Sequence, residues 1–200
     1  HVDPAQFYPA PAHEEALARL QYLVEQRLRL GILLGEAGSG KTMLLAKFAN
    51  ELSGERTAVV RMSLLGLSCE EFLLELAQQL QLAPSPTTPA VALWRKIADG
   101  LRAHKYQQLS TVIMLDDADE ASPEVHAAIC RLCEIDATAD ARLTILLTAQ
   151  ANRLGALPTR LIDRAALRID VERWEREDTA EYLTHAVQQM RQLNVGGDVP

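Results

Sequence analysis

Cysteine is scarce in this sequence, with three in 200 residues. That odd, low number argues against a disulfide framework and for a reducing compartment. Long apolar runs are missing as well. No stretch of about 18 uncharged apolar residues occurs, so no segment reads as a membrane-spanning helix. The start, "HVDPAQFYPAPAHEEAL", lacks the charged-then-apolar order of a signal peptide. His1 reads as a tag remnant or a domain cut. Basic excess is absent too. The net charge is −7, and such a bulk field does not favour nucleic acid. Repeats and low-complexity tracts are absent. "LAPSPTTP" (82–89) has linker composition but is short enough to join two helices.

What is present is an ordinary globular composition, 48% apolar and 24% charged. The length suits one α/β domain with a real core. Residues 12–29 predict an amphipathic helix, with Leu17, Leu20, Leu23, Val24 and Leu28 at helical spacing. Short apolar runs predict buried strands at 30–34, 57–62, 111–115, 142–149 and 166–171. Helices are expected between them: from Lys41, from Ser68 through a capping box with Glu71, around Trp94, Ile97 and Leu101, and from Ser122-Pro123. A last helix is expected to carry Tyr182, Leu183, Val187 and Met190. Strands alternating with helices predict a parallel sheet covered on both sides.

Between the first strand and the next helix lies "GEAGSGKT", with the spacing Gly35-x-x-x-x-Gly40-Lys41-Thr42. Glycines let successive N–H groups turn toward anionic oxygens, and the following helix adds its positive end. Gly35, Glu36, Ala37, Gly38, Ser39, Gly40, Lys41, Thr42 and Met43 are therefore the candidate phosphate-binding residues. Lys41 is placed to reach the β- and γ-phosphates, and Thr42 to ligate Mg²⁺. The bare pattern arises by chance in roughly one chain of this length in a hundred at about 7% glycine. The buried strand before it and the apolar helix after it reduce that chance further.

"VIMLDD" puts an acidic pair at the end of a buried parallel strand, the edge where open α/β sheets bind ligands. Asp116 is placed to hold Mg²⁺ through its waters, and Asp117 to polarise an attacking water. The ordinary alternative is that the two aspartates open a loop and cap the next helix. At the end of the fourth strand, "LLTAQ" offers Thr148 or Gln150 beside the γ-phosphate. Arg153, Arg160, Arg164, Arg168, Arg173 and Arg176 fall in one stretch, as solvated faces or with one or two meeting a phosphate. Cys130 and Cys133 lack a second pair and share a helix with Ile129 and Leu132, so they read as core thiols. His13, His104, His126 and His185 share no spacing, and surface or capping roles suit them better than ligation. Trp94 and Trp174 read as packing residues.

"GEAGSGKT", "VIMLDDAD", "LLTAQ" and "LIDRAALRI" together resemble an AAA+ ATPase core. The leading segment "FYPAPAHEEALARLQYLVEQRLRLGILLGEAGSGKT" resembles more narrowly the component A ATPase of the general (type II) secretion pathway. Transposition-helper ATPases share much of the same core. The resemblance spans residues 7 to 190. It implies a three-layer P-loop NTPase fold of AAA+ type, with five parallel strands in the order 5-1-4-3-2. It implies ATP with Mg²⁺, and oligomers with the nucleotide at the subunit boundary. It also implies an arginine finger given by a neighbour; Arg164 matches that position best and Arg160 second. Tyr8 and His13 would lie near the adenine.

The pattern is departed from in two places. The usual acidic pair is Asp-Glu, whereas here it is Asp116-Asp117. Asp117 is shorter by one carbon–carbon bond, about 1.5 Å, and a displaced base loses much of its effect. The sequence also stops at "RQLNVGGDVP", where a helical lid with a second sensor arginine would follow. The expected organisation is a leading segment and helix over 1–29, a nucleotide-binding core over 30–195, and a truncated start of the lid or tail over 196–200. The lid is expected to be largely absent from this core, which reads as cut from a longer protein. The resemblance places the protein in the cytoplasm, with an inner-membrane anchor outside this sequence. Three functions fit: an ATPase driving assembly of a secretion or envelope complex with protein partners, an ATP-dependent switch with little hydrolysis, and a DNA transposition helper. The acidic balance weighs against the last.

Overall fold

The computed structural model describes residues 11–52, 56–135, 138 and 141–171. Five strands form one sheet: β1 (Leu30–Gly35), β2 (Thr57–Ser63), β3 (Ser110–Asp116), β4 (Leu143–Gln150) and β5 (Leu167–Val171). Their order is β2-β3-β4-β1-β5, with every pair parallel. This is the expected order. Burial follows position in the sheet. β1, β3 and β4 are buried almost throughout, whereas the edge strands β2 and β5 alternate with exposed or half-buried residues. The last expected helix, together with Tyr8, Arg173, Trp174, Arg176 and His185, lies outside the described residues.

Among the described residues, six α-helices cover the two faces: α1 (Pro11–Glu25), α2 (Lys41–Leu52), α3 (Cys69–Gln79), α4 (Ala90–Tyr106), α5 (Pro123–Leu132) and α6 (Thr159–Arg164). Successive strand residues point to opposite faces, so each face has its own core. On one, Leu33, Val112, Met114, Leu146 and Ile169 meet Leu20 and Leu23 of α1 and Leu44, Leu45 and Phe48 of α2. On the other, Ile32, Val60, Ile113, Ile145 and Leu147 meet Phe72 and Leu76 of α3, Ile97 of α4, Ile129 of α5 and Leu161 of α6. Most of these side chains are fully buried.

The helix starts follow their caps. Ser68 and Glu71 form the expected capping box at α3. Ser122 caps α5, with proline in its first turn. One end departs from expectation. α1 stops at Glu25, four residues before the predicted Arg29. Leu28 N–H bonds Leu23 C=O and Arg27 N–H bonds Val24 C=O, with Arg27 at φ +53°. That is a Schellman turn built on arginine. The same pairs of bonds end α3 at Gln81 (φ +59°) and α4 at Gln108 (φ +59°).

Candidate functional site

All five strands point their carboxyl ends to one edge. The parallel register brings Gly35 beside Gln150 on one side and Val171 on the other. It also sets Ser63 beside Asp116. The functional candidates at strand ends therefore share this edge because the hydrogen-bond ladder puts them there.

From β1 the chain turns through residues 36–40 and enters α2 at Lys41. Gly38 (φ +80°) and Gly40 (φ +86°) take the left-handed conformations that L side chains resist. Gly35 is needed for closeness instead, since a Cβ there would lie 2.9 Å from the Val171 carbonyl oxygen and against the Ser39 side chain. Glu36, Ala37 and Gly38 are exposed, and Ser39 is buried with its Oγ unpartnered. Thr42 is exposed and Met43 half-buried in the first turn of α2. Lys41 Nζ donates to the carbonyls of Gly35 (2.9 Å) and Glu36 (2.8 Å). An ammonium has three donors, so the cation is steered to the mouth of the loop by two of them.

β3 ends on Asp116, 4% exposed. Its Oδ1 accepts from the Thr148 hydroxyl and from Asp117 N–H at 3.2 Å. The same Thr148 oxygen accepts Asp117 N–H at 3.0 Å. Thr148 is thus spent on orienting the acidic pair. Asp117 sits at φ +57° and makes no side-chain cap. Its Oδ2 instead accepts from Ser63 Oγ at 2.8 Å. The ordinary helix-capping alternative fails here, because α5 takes Ser122 as its cap.

Several contributors escape sequence reading. Ser63 is one, placed only by the β2–β3 register. The pairing of Asp119 with Arg153 is another. Asp119 is buried, with Oδ2 3.5 Å from Arg153 Nε, and Arg153 also bonds Glu120 and the Asp119 carbonyl. This clamp ties residues 118–120, just after Asp117, to residues 151–156, just after Gln150. His126 is the last. It was expected at the surface or at a cap, but it is buried and its ring nitrogen donates to the Ala118 carbonyl at 2.7 Å. His104 is half-buried beside Thr111, 2.9 Å away, and burial lowers its pKa.

His13 is buried against the loop backbone, with Nε2 3.0 Å from the Ser39 carbonyl. Arg160 and Arg164 both pair with Glu134, Arg164 at 3.0 Å. Cys133 is in the core, and burial pushes its thiol up to about 11. Burial raises the Cys130 thiol as well. Both thiols are therefore protonated at neutral pH. Among the described residues, no group of three His, Cys, Asp or Glu is arranged to hold a metal by itself. No described helix is long and apolar enough to cross a membrane.

Comparison with known proteins agrees with this geometry. A family profile described as "AAA domain" matches residues 24–157. General secretion pathway protein A of Aeromonas hydrophila is 25% identical over 167 residues, covering 84% of this chain. The chain spans 30% of that relative's length. Among solved structures, Cdc6p from Pyrobaculum aerophilum has a TM-score of 0.69 at 21% identity, over 92% of this chain and 52% of its own. The Aeropyrum pernix ORC1 protein, in complex with DNA, has a TM-score of 0.70 at 14% identity, over 92% and 50%. The Thermotoga maritima RuvB Holliday junction branch migration motor has a TM-score of 0.58 at 18% identity, over 92% and 52%. At these identities the three structures establish the shared fold.

Proposed function

Because the chain belongs to the AAA domain family, we propose that it binds ATP with Mg²⁺ and hydrolyses it slowly to drive or regulate a bacterial secretion assembly. The observation that carries this reading is the loop 36–40: two left-handed glycines, a lysine held at its mouth and a helix N-terminus behind it. Such a loop presents N–H groups and a cation to phosphate oxygens. Secretion is supported by the likeness to general secretion pathway protein A. The Aeropyrum pernix ORC1 protein, which shares the fold, was solved in complex with DNA, but a net charge of −7 weighs against DNA for this chain.

Within this reading each residue has one task. The loop and Lys41 hold the phosphates. Thr42 and Asp116 would hold Mg²⁺, which would neutralise charge on the phosphate oxygens. Asp116 Oδ1 is engaged by Thr148 and Asp117, so the carboxylate would face a hydrated cation with Oδ2. Asp117 would polarise water, and Gln150, in register with Gly35, would lie beside the γ-phosphate. Asp116→Asn keeps the Oδ1 acceptor and removes the charge. It is expected to weaken ATP binding about tenfold in Mg²⁺ and little in EDTA. Equal effects in the two buffers would leave Asp116 a structural residue.

Turnover should be slow. Asp117 is short, its carboxylate is shared with Ser63, and no neighbour supplies a second cation to an isolated domain. The isolated domain is expected to hydrolyse ATP below about 1 s⁻¹ in a phosphate-release assay, under the usual enzyme range. Faster turnover by a monomer would overturn the composite-site reading.

A further inference from the structure

We propose that His13 is a positioning residue for the phosphate-binding loop, acting through the Ser39–Gly40 peptide; the inference rests on the ATP reading above. α1 carries a buried stripe, Ala16, Leu17, Leu20 and Leu23, that packs on α2 and the sheet. His13 continues that stripe one turn earlier and is fully buried. An imidazole on an apolar face is costly unless it is hydrogen-bonded. Here Nε2–H donates to the Ser39 carbonyl at 3.0 Å, across 26 positions of sequence.

That bond fixes a direction. In a trans peptide the C=O and the following N–H point opposite ways. With the Ser39 carbonyl drawn to His13, the Gly40 N–H is turned to the other side of the loop. Losing the donor frees the peptide to rotate and to present a carbonyl where an N–H stood, which repels phosphate. The ring also fills the space beside Gly40. A Cβ there would lie 2.8 Å from Nε2, whereas a Cβ at Gly38 meets nothing within 4 Å. Gly38 is therefore required for conformation alone, and Gly40 for conformation and for the histidine. The resemblance places His13 near the adenine; this contact places its effect on the phosphates.

The two placements separate by ligand. Binding to the 200-residue chain is measured by displacement of a fluorescent ATP analogue, with ATP and with inorganic triphosphate. His13→Leu keeps the packing and loses the donor; His13→Gln keeps an N–H donor. His13→Leu is expected to weaken both ligands by the same factor, about tenfold, and His13→Gln to restore most of the loss. Loss for ATP alone would assign His13 to the base and overturn the inference. No loss, or an equal loss that His13→Gln does not restore, would make it a packing residue and also overturn it. Should thermal melting show that His13→Leu is unfolded, His13→Met replaces it in the same comparison. If the unaltered chain displaces with neither ligand, the ATP reading itself fails. If the unaltered chain binds, Lys41→Ala weakens it and His13→Leu does not, only the inference fails.

Discussion

Lys41→Ala is expected to weaken ATP binding about a hundredfold or more, from the loss of charge-assisted hydrogen bonds to phosphate. Lys41 reaches only backbone carbonyls of the loop, at 2.9 and 2.8 Å, and lies outside both cores. The melting temperature should therefore change little. Titration of the folded variant with ATP checks this. Affinity within twofold of the unaltered chain would remove the phosphate role from the loop.

The second large effect concerns Arg164. In the single chain its guanidinium pairs with Glu134, which Arg160 also holds. The pair is partly exposed, and exposed ion pairs contribute only about 0–1 kcal/mol. Arg164 can therefore leave Glu134 at small cost, and Arg160 remains to satisfy the carboxylate. If Arg164 serves the γ-phosphate of a neighbouring subunit, Arg164→Ala should leave ATP affinity of the monomer unchanged. Turnover of the assembled oligomer should fall about 10³-fold, the scale of an arginine finger. Mixing Arg164→Ala with Lys41→Ala protein should restore activity, since some boundaries then pair an intact loop with an intact finger. Normal turnover by an Arg164→Ala oligomer would move the role to Arg160.

The sheet was legible because its signals are local. The runs around Ile32, Ile113 and Ile145 are apolar and short; the first ends on the glycine loop and the others on Asp116 and Gln150, so strands and sheet edge could be read together. Sheet order came from family resemblance. The phosphate loop was legible for the same local reason, as glycines at fixed spacing beside Lys41. What escaped depends on contacts across the sequence. Ser63 meets Asp117 only because β2 and β3 are in register. Asp119 meets Arg153 across 34 positions. His13 and His126 look like surface residues in a sequence, yet each is buried on a backbone carbonyl. The end of α1 was hidden for a different reason: its left-handed position carries Arg27 in place of the usual glycine, as Gln81 and Gln108 do after α3 and α4. The short 3-10 turns at 118–120 and 151–156 follow strand ends and have no apolar period of their own.

Calorimetric titration of the isolated domain with ATP tests the central claim most directly, run in Mg²⁺ and again in EDTA. The account predicts saturable one-to-one binding that is tighter in Mg²⁺ and is lost in Lys41→Ala. No heat of binding in either buffer, or binding that Lys41→Ala leaves unchanged, would contradict it.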